Sequence, residues 1–275
     1  MKHFSASDGL QIAYDDRGEG TPVLCLPGLT RDMRDFEPLL AARGQTARII
    51  RMDLRGRGES DWDPNPLQGY TVPVEARDVL ELLDHLGISR AVIVGTSRGG
   101  IIAMYLAAVA KQRLAGVLLN DIGPTIEQAG LDAIMTYLGK RPAAKTYEQA
   151  AQGLARFYAR AFPGVDAAQW QVWARRWYDQ DADALQLRYD PALRDASEAG
   201  GPAPDLWPLF AELGQVPLAA LRGENSDLLS ERTFGAMKAM HASMITATVP
   251  DRGHVPFLDE EESLATFDRL MEEIR

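Results

Sequence analysis

An apolar run, Ala91-Val92-Ile93-Val94, meets Gly95-Thr96-Ser97-Arg98-Gly99-Gly100, and an alanine-rich apolar run follows from Ile101. This junction constrains the fold more than any other stretch. A continuous β-branched run predicts a strand buried on both faces. The second run predicts a helix over 101–110. A sharp turn must join them, and there backbone passes close to backbone. Glycine two residues before and two after the serine leaves room for that approach. The serine takes a strained conformation and stands at a helix N-terminus, where free N–H groups and the helix dipole favour developing negative charge.

The rest of the chain supplies a sheet for this strand to join. Strand patterns recur at 10–14, 23–26, 47–52 and 117–119, and again at 216–222 and 244–249. Helical spacing of Val79, Leu82, Leu83 and Leu86 marks 74–86, and a last helix is expected over 260–274. Strands alternating with helices predict an α/β fold, a mostly parallel central sheet flanked by helices. The pattern breaks between 121 and 214, which holds four of the five tryptophans and no buried-strand run. The expected organisation is a core of 1–120 and 215–275 with a helical cap of 121–214 inserted between its halves.

A chain of 275 residues can bury such a core without staples. Its formal net charge of -10 argues against nucleic acid or an anionic membrane as partner, and leaves a small-molecule substrate. Cys25 is the one cysteine, so no intrachain disulfide forms. The first nine residues lack an apolar stretch of signal-peptide type, and a cytoplasmic location is expected. No apolar run approaches the ~20 residues of a membrane span. Oligomeric state is not readable from the sequence.

A serine hydroxyl needs a base. His3 lies at the terminus, while His85 and His241 end helix-like segments. His254 follows the last strand pattern, at the carboxyl edge where open α/β sheets bind ligands, and is the expected base. The orienting carboxylate is expected from Asp227, in the loop after 216–222. Asp121, after 117–119, is the rival, and both loops could reach the histidine.

These residues resemble the α/β-hydrolase family, and the resemblance covers essentially the whole chain. Ser97, Asp227 and His254 follow the family's order of nucleophile, acid and histidine. Leu26-Pro27-Gly28-Leu29 resembles its His-Gly loop, with proline in place of histidine. Asp53-Leu54-Arg55-Gly56-Arg57-Gly58-Glu59-Ser60 resembles its D-x-R-G-x-G-x-S loop, and 121–214 resembles its cap.

The resemblance implies a hydrolase forming an acyl-enzyme on Ser97, with His254 as base and Asp227 as its partner. The backbone N–H groups of Leu29 and Arg98 would form the oxyanion hole. The expected substrate is a small, largely apolar carboxylic ester or lactone. The alternatives are a carbon–carbon bond hydrolase of ring-cleavage products and a ligand-binding receptor on the same fold. Thr96 stands where the carbon–carbon hydrolases usually carry asparagine. Arg98 beside the nucleophile is expected to pair with Asp121 or Asp53, a substrate carboxylate being the rival partner. Asp53 and Arg55 are expected to tie loops together, and Cys25 to be a core residue. The tryptophans of the inserted segment, Trp173 among them, are expected to pack the cap and line a pocket. No metal-ligand spacing and no cofactor loop is present, so neither metal nor cofactor is expected.

Overall fold

The structure, a computed structural model, describes residues 1–182, 184–201 and 204–274; positions 183, 202, 203 and 275 of the expected ranges lie outside it. Its strands in chain order are β1 (Lys2–Ser5), β2 (Gln11–Arg17), β3 (Pro22–Leu26), β4 (Arg48–Met52), β5 (Ala91–Thr96), β6 (Leu114–Asn120), β7 (Tyr178–Gln180), β8 (Leu185–Leu187), β9 (Leu218–Gly223) and β10 (Ile245–Val249). Eight of them form one sheet in the order β1-β2-β4-β3-β5-β6-β9-β10. Only β1–β2 and β2–β4 pair antiparallel, and the rest of the sheet is parallel. All six residues of β5 are buried, as a central strand covered on both faces requires.

The two faces carry separate cores. Leu24, Ile93 and Leu119 point to one, beneath the helices Val72–His85 and Arg98–Val109. Val23, Val92, Leu118 and Leu221 point to the other, beneath the helix Glu261–Ile274. Period-2 alternation therefore survives in strands that read as continuous apolar runs. Cys25 lies fully buried in the second core, where burial pushes its thiol up to about 12 and makes it a poor nucleophile.

Register brings the chemistry-bearing loops to one edge. Leu26 lies beside Gly95, and Thr96 beside Asn120, which lies beside Leu221. The loops after β3, β5, β6, β9 and β10 thus leave the sheet together. Between β6 and β9 the chain forms the helices Gln128–Tyr137, Tyr147–Phe157, Ala167–Trp177, Leu193–Ala199 and Trp207–Ala211, with β7 and β8 as an antiparallel hairpin.

This segment is bolted to the sheet edge. Gly58 N–H donates to the Arg188 carbonyl at 2.7 Å, and Asp190 N–H to the Gly56 carbonyl at 2.8 Å. The Arg188 guanidinium donates to Asp32 at 2.7 Å and to Glu59 at 2.9 Å. The D-x-R-G-x-G-x-S loop is itself held as expected. Asp53 accepts the N–H groups of Met33 and Glu59, and buried Arg55 binds Asp8, Asp63 and Asp78. Among the described residues no helix is long and apolar enough to cross a membrane.

Candidate active site

Ser97 sits between β5 and the helix Arg98–Val109 at φ 50°, ψ -110°, in the left-handed half of the map. The turn is held by hydrogen bonds from Ser97 N–H to the Asn120 carbonyl (3.1 Å) and from Gly99 N–H to the Pro27 carbonyl (3.1 Å). A Cβ at Gly99 would lie 2.1 Å from the Leu26 carbonyl oxygen, and one at Gly95 2.6 Å from the Gly100 nitrogen. Both glycines are therefore required by backbone on backbone, and the turn thrusts Ser97 out over the sheet edge.

His254 reaches Ser97 from the loop after β10. Its Nε2 lies 3.0 Å from Ser97 Oγ, and its Nδ1 lies 2.7 Å from Asp121 Oδ2. An ionised carboxylate only accepts, so Nδ1 carries the hydrogen toward Asp121 and Nε2 accepts from Ser97 O–H. Asp121 is fully buried at φ 53°, directly after β6. It also accepts from Gly223 N–H and from Ser226 O–H, each at 2.7 Å. These donors fix both of its oxygens.

The expected partner Asp227 is corrected by this geometry. Its loop does approach the site, but the residue it contributes is Ser226, whose hydroxyl donates to Asp121 and accepts from Leu229 N–H at 3.0 Å. That tight turn buries Leu228 and Leu229 and leaves Asp227 exposed. The position of Asp121 could signal this contact with His254: it directly follows the strand between those carrying Ser97 and the Ser226 loop. Aspartate is also among the few residues that enter the left-handed region readily.

Arg98 is paired, but with neither of its expected partners. Its Nε donates to Glu75 at 2.6 Å and its Nη2 to the Tyr70 carbonyl at 3.1 Å. Glu75 is fully buried and also accepts from Arg57 at 2.7 Å. Burial opposes its ionisation, yet the two guanidinium groups hold its carboxyl below the ordinary range. Arg57 in turn donates to the Leu29 carbonyl at 2.9 Å. One carboxylate thus braces both residues whose N–H groups are the expected oxyanion donors. Among the described residues neither of those N–H groups has an intramolecular acceptor.

Replacing Glu75 by glutamine leaves two guanidinium groups facing a neutral amide. It is expected to cost about 3 kcal/mol of stability. A thermal melt showing a shift of less than about 3 °C would contradict that.

A cavity of ≈60 Å³ lies over Ser97, walled by Leu29, Ile134, Phe162, Trp173, Trp177 and Leu258 among others. Trp173 lies in its wall and packs on Phe257 with centroids 4.3 Å apart. Trp207 instead donates to Thr125 from outside the cavity. Arg31 and Asp35 also line it, and the sequence reading had not singled them out. Burial, aided by neighbouring Asp32, pushes the Asp35 carboxyl up to about 6 against the pull of Arg31. Among the described residues no cluster of potential metal ligands is present.

Comparison with known proteins agrees with this geometry. The profile of the alpha/beta hydrolase family matches residues 23–267. A 3-hydroxybutyrate-oligomer hydrolase of Cupriavidus necator is 34% identical over 90% of this chain and 89% of its own. A 2-(acetamidomethylene)succinate hydrolase of Mesorhizobium japonicum is 26% identical over 87% of this chain and 83% of its own. The crystal structure of an alpha/beta hydrolase from Novosphingobium aromaticivorans superposes with a TM-score of 0.92 at 38% identity, covering 98% of this chain and 97% of that one. With a parallel sheet that carries a serine on its strand-to-helix turn and a histidine within reach, the chain belongs to the α/β-hydrolase family and is a hydrolase.

Proposed function

We propose that this hydrolase cleaves a small carboxylic ester through an acyl-enzyme on Ser97, with 121–214 serving as the cap over the site. The observation that carries the reading is the hydrogen-bonded line from Ser97 through His254 to Asp121 beneath a narrow cavity. In the first step Ser97 Oγ attacks the ester carbonyl and its proton passes to His254 Nε2. Asp121 holds the imidazole in register and stabilises its cation. The Leu29 and Arg98 N–H groups receive the oxyanion, and each such donor contributes about 3 kcal/mol to barrier lowering. The imidazolium then protonates the leaving oxygen. Water, activated by the same imidazole, releases the acid and regenerates Ser97.

The relative named for 3-hydroxybutyrate oligomers supports a short hydroxy-acid ester as the substrate.

The test is a stopped-flow burst with p-nitrophenyl esters of graded chain length, together with fluorophosphonate labelling. One p-nitrophenol per chain in the burst and a label on Ser97 are expected, and the dependence on acyl length sizes the pocket. A folded protein that shows neither burst, label nor turnover would overturn the proposal.

A further inference from the structure

Arg31 differs from the other arginines at this edge of the sheet. Arg55, Arg57, Arg98 and Arg188 each donate to a carboxylate at 2.9 Å or less. The Arg31 guanidinium offers five N–H donors. Among the described residues none of these has a hydrogen-bond acceptor. Its contacts are a stack on Trp177, Cζ 3.7 Å from the ring centroid, and a long ion pair to Asp35 at 3.9 Å. That carboxylate is already engaged, since Trp177 Nε1 donates to it at 3.1 Å. The Arg31 side chain is only 19% exposed and lines the cavity over Ser97. A largely enclosed cation with free donors is costly unless an oxygen ligand arrives.

A second observation is independent of the first. Arg31 also lies in the wall of a larger cavity of ≈600 Å³ that adjoins the one over Ser97 and shares Thr30, Tyr137, Tyr158 and Trp177 with it. The charged residues described in its lining are Arg31, Lys140, Arg141 and Arg156, with no aspartate or glutamate. In a chain of net charge -10 this is a local reversal of sign. Low-dielectric walls concentrate such a field and draw anions inward.

We propose that Arg31 binds a free carboxylate of the ester substrate, and that the chamber bearing Lys140, Arg141 and Arg156 admits that anion to the site. This rests on the ester-hydrolase reading and gives it a substrate class, short esters carrying one free carboxylate. A linear oligomer of a hydroxy acid has this form, with a carboxyl at one end and a hydroxyl at the other. The carboxylate takes no part in bond making. It sets which ester linkage lies over Ser97.

The probes are the linear dimer of 3-hydroxybutyrate as free acid and as its N-methyl amide, which is neutral but otherwise alike. The readout is the ratio of kcat/KM for acid over amide. Arg31→Gln is expected to lower that ratio about 30-fold, the usual worth of a charge-assisted pair. Asp35→Asn keeps an acceptor for Trp177 and removes the competing charge, so it is expected to raise the ratio several-fold. It also carries the test if Arg31→Gln loses its Trp177 stack and fails to fold.

Calorimetry of 3-hydroxybutyrate with Ser97→Ala, and with Ser97→Ala/Arg31→Gln, measures carboxylate binding without turnover. Binding that the second protein loses supports the proposal. Turnover of both dimers with a ratio unmoved by either substitution overturns the carboxylate subsite and leaves the esterase standing. Failure of the wild type to cleave either dimer counts against the esterase reading for this substrate class. In that case binding that is absent, or unaffected by Arg31→Gln, overturns the subsite as well.

Discussion

Replacing Ser97 by alanine is expected to lower kcat by about 10⁶-fold and to abolish the burst of p-nitrophenol. The loss is this large because, in the proposed mechanism, the other parts act only on the acyl transfer that Ser97 begins. His254 would have no proton to take, and the oxyanion donors no tetrahedral adduct to hold. A residual rate of about 10³-fold over water is expected, from binding and the Leu29 and Arg98 N–H groups alone. Stability should not fall with activity. Ser97 occupies a left-handed conformation that costs roughly 1–3 kcal/mol for a residue with a Cβ. Ser97→Gly should therefore be inactive and melt higher than wild type. Retention of even one hundredth of the wild-type kcat in Ser97→Ala would assign the chemistry to another nucleophile.

Asp121→Asn is expected to lower kcat by about 10⁴-fold, while Asp227→Asn changes it less than about threefold. Asparagine at 121 can still accept from Gly223 N–H, so the fold around it survives. Its amide can offer His254 a hydrogen where an acceptor is needed. The imidazole then turns to the tautomer that cannot accept from Ser97. Asp227 has no such part, being exposed on a loop whose inward contact is made by Ser226. Steady-state kinetics on the two variants decide the assignment. The reverse outcome, a dead Asp227→Asn beside an active Asp121→Asn, would mean that the loop after β9 rearranges when substrate binds.

How far the sequence could be read follows from where the deciding forces lie. Ser97 and His254 were legible because local physics marks them. Glycine at 95 and 99 is forced by contact with backbone, and a histidine just past the last parallel strand has few other uses. The central strands were legible from continuous apolar runs. β1 was not, since of its four residues only Phe4 is buried and its register is set by backbone pairing with β2. The hairpin β7–β8 was missed for the same reason, three residues a side with one buried.

The carboxylate partner was misjudged because its choice is tertiary. Asp121 and Asp227 both follow strands that end at the same edge, and the turn made by Ser226 separates them. Arg98 was legible as a paired cation, but its partner Glu75 lies on a helix whose face toward the site has no local signal. Arg31 gave none either, for an arginine in a loop is usually a solvated one, and its enclosure depends on Trp177 arriving from far along the chain.

The buried Glu75 has a bearing on how such a scaffold diversifies. Position 98 directly follows the proposed nucleophile, and a library built to alter selectivity would start there. Here it is closed to variation. Arg98 and Arg57 share one carboxylate, and any residue at 98 that leaves Glu75 half-satisfied strands a charge inside the protein. Clones altered at 98 should be lost for poor folding before their selectivity is ever tested. Changes in selectivity are then confined to the cavity wall itself, at Tyr137 and Tyr158. There a new side chain meets the cavity rather than a buried ion pair, and drift can proceed one tolerated substitution at a time.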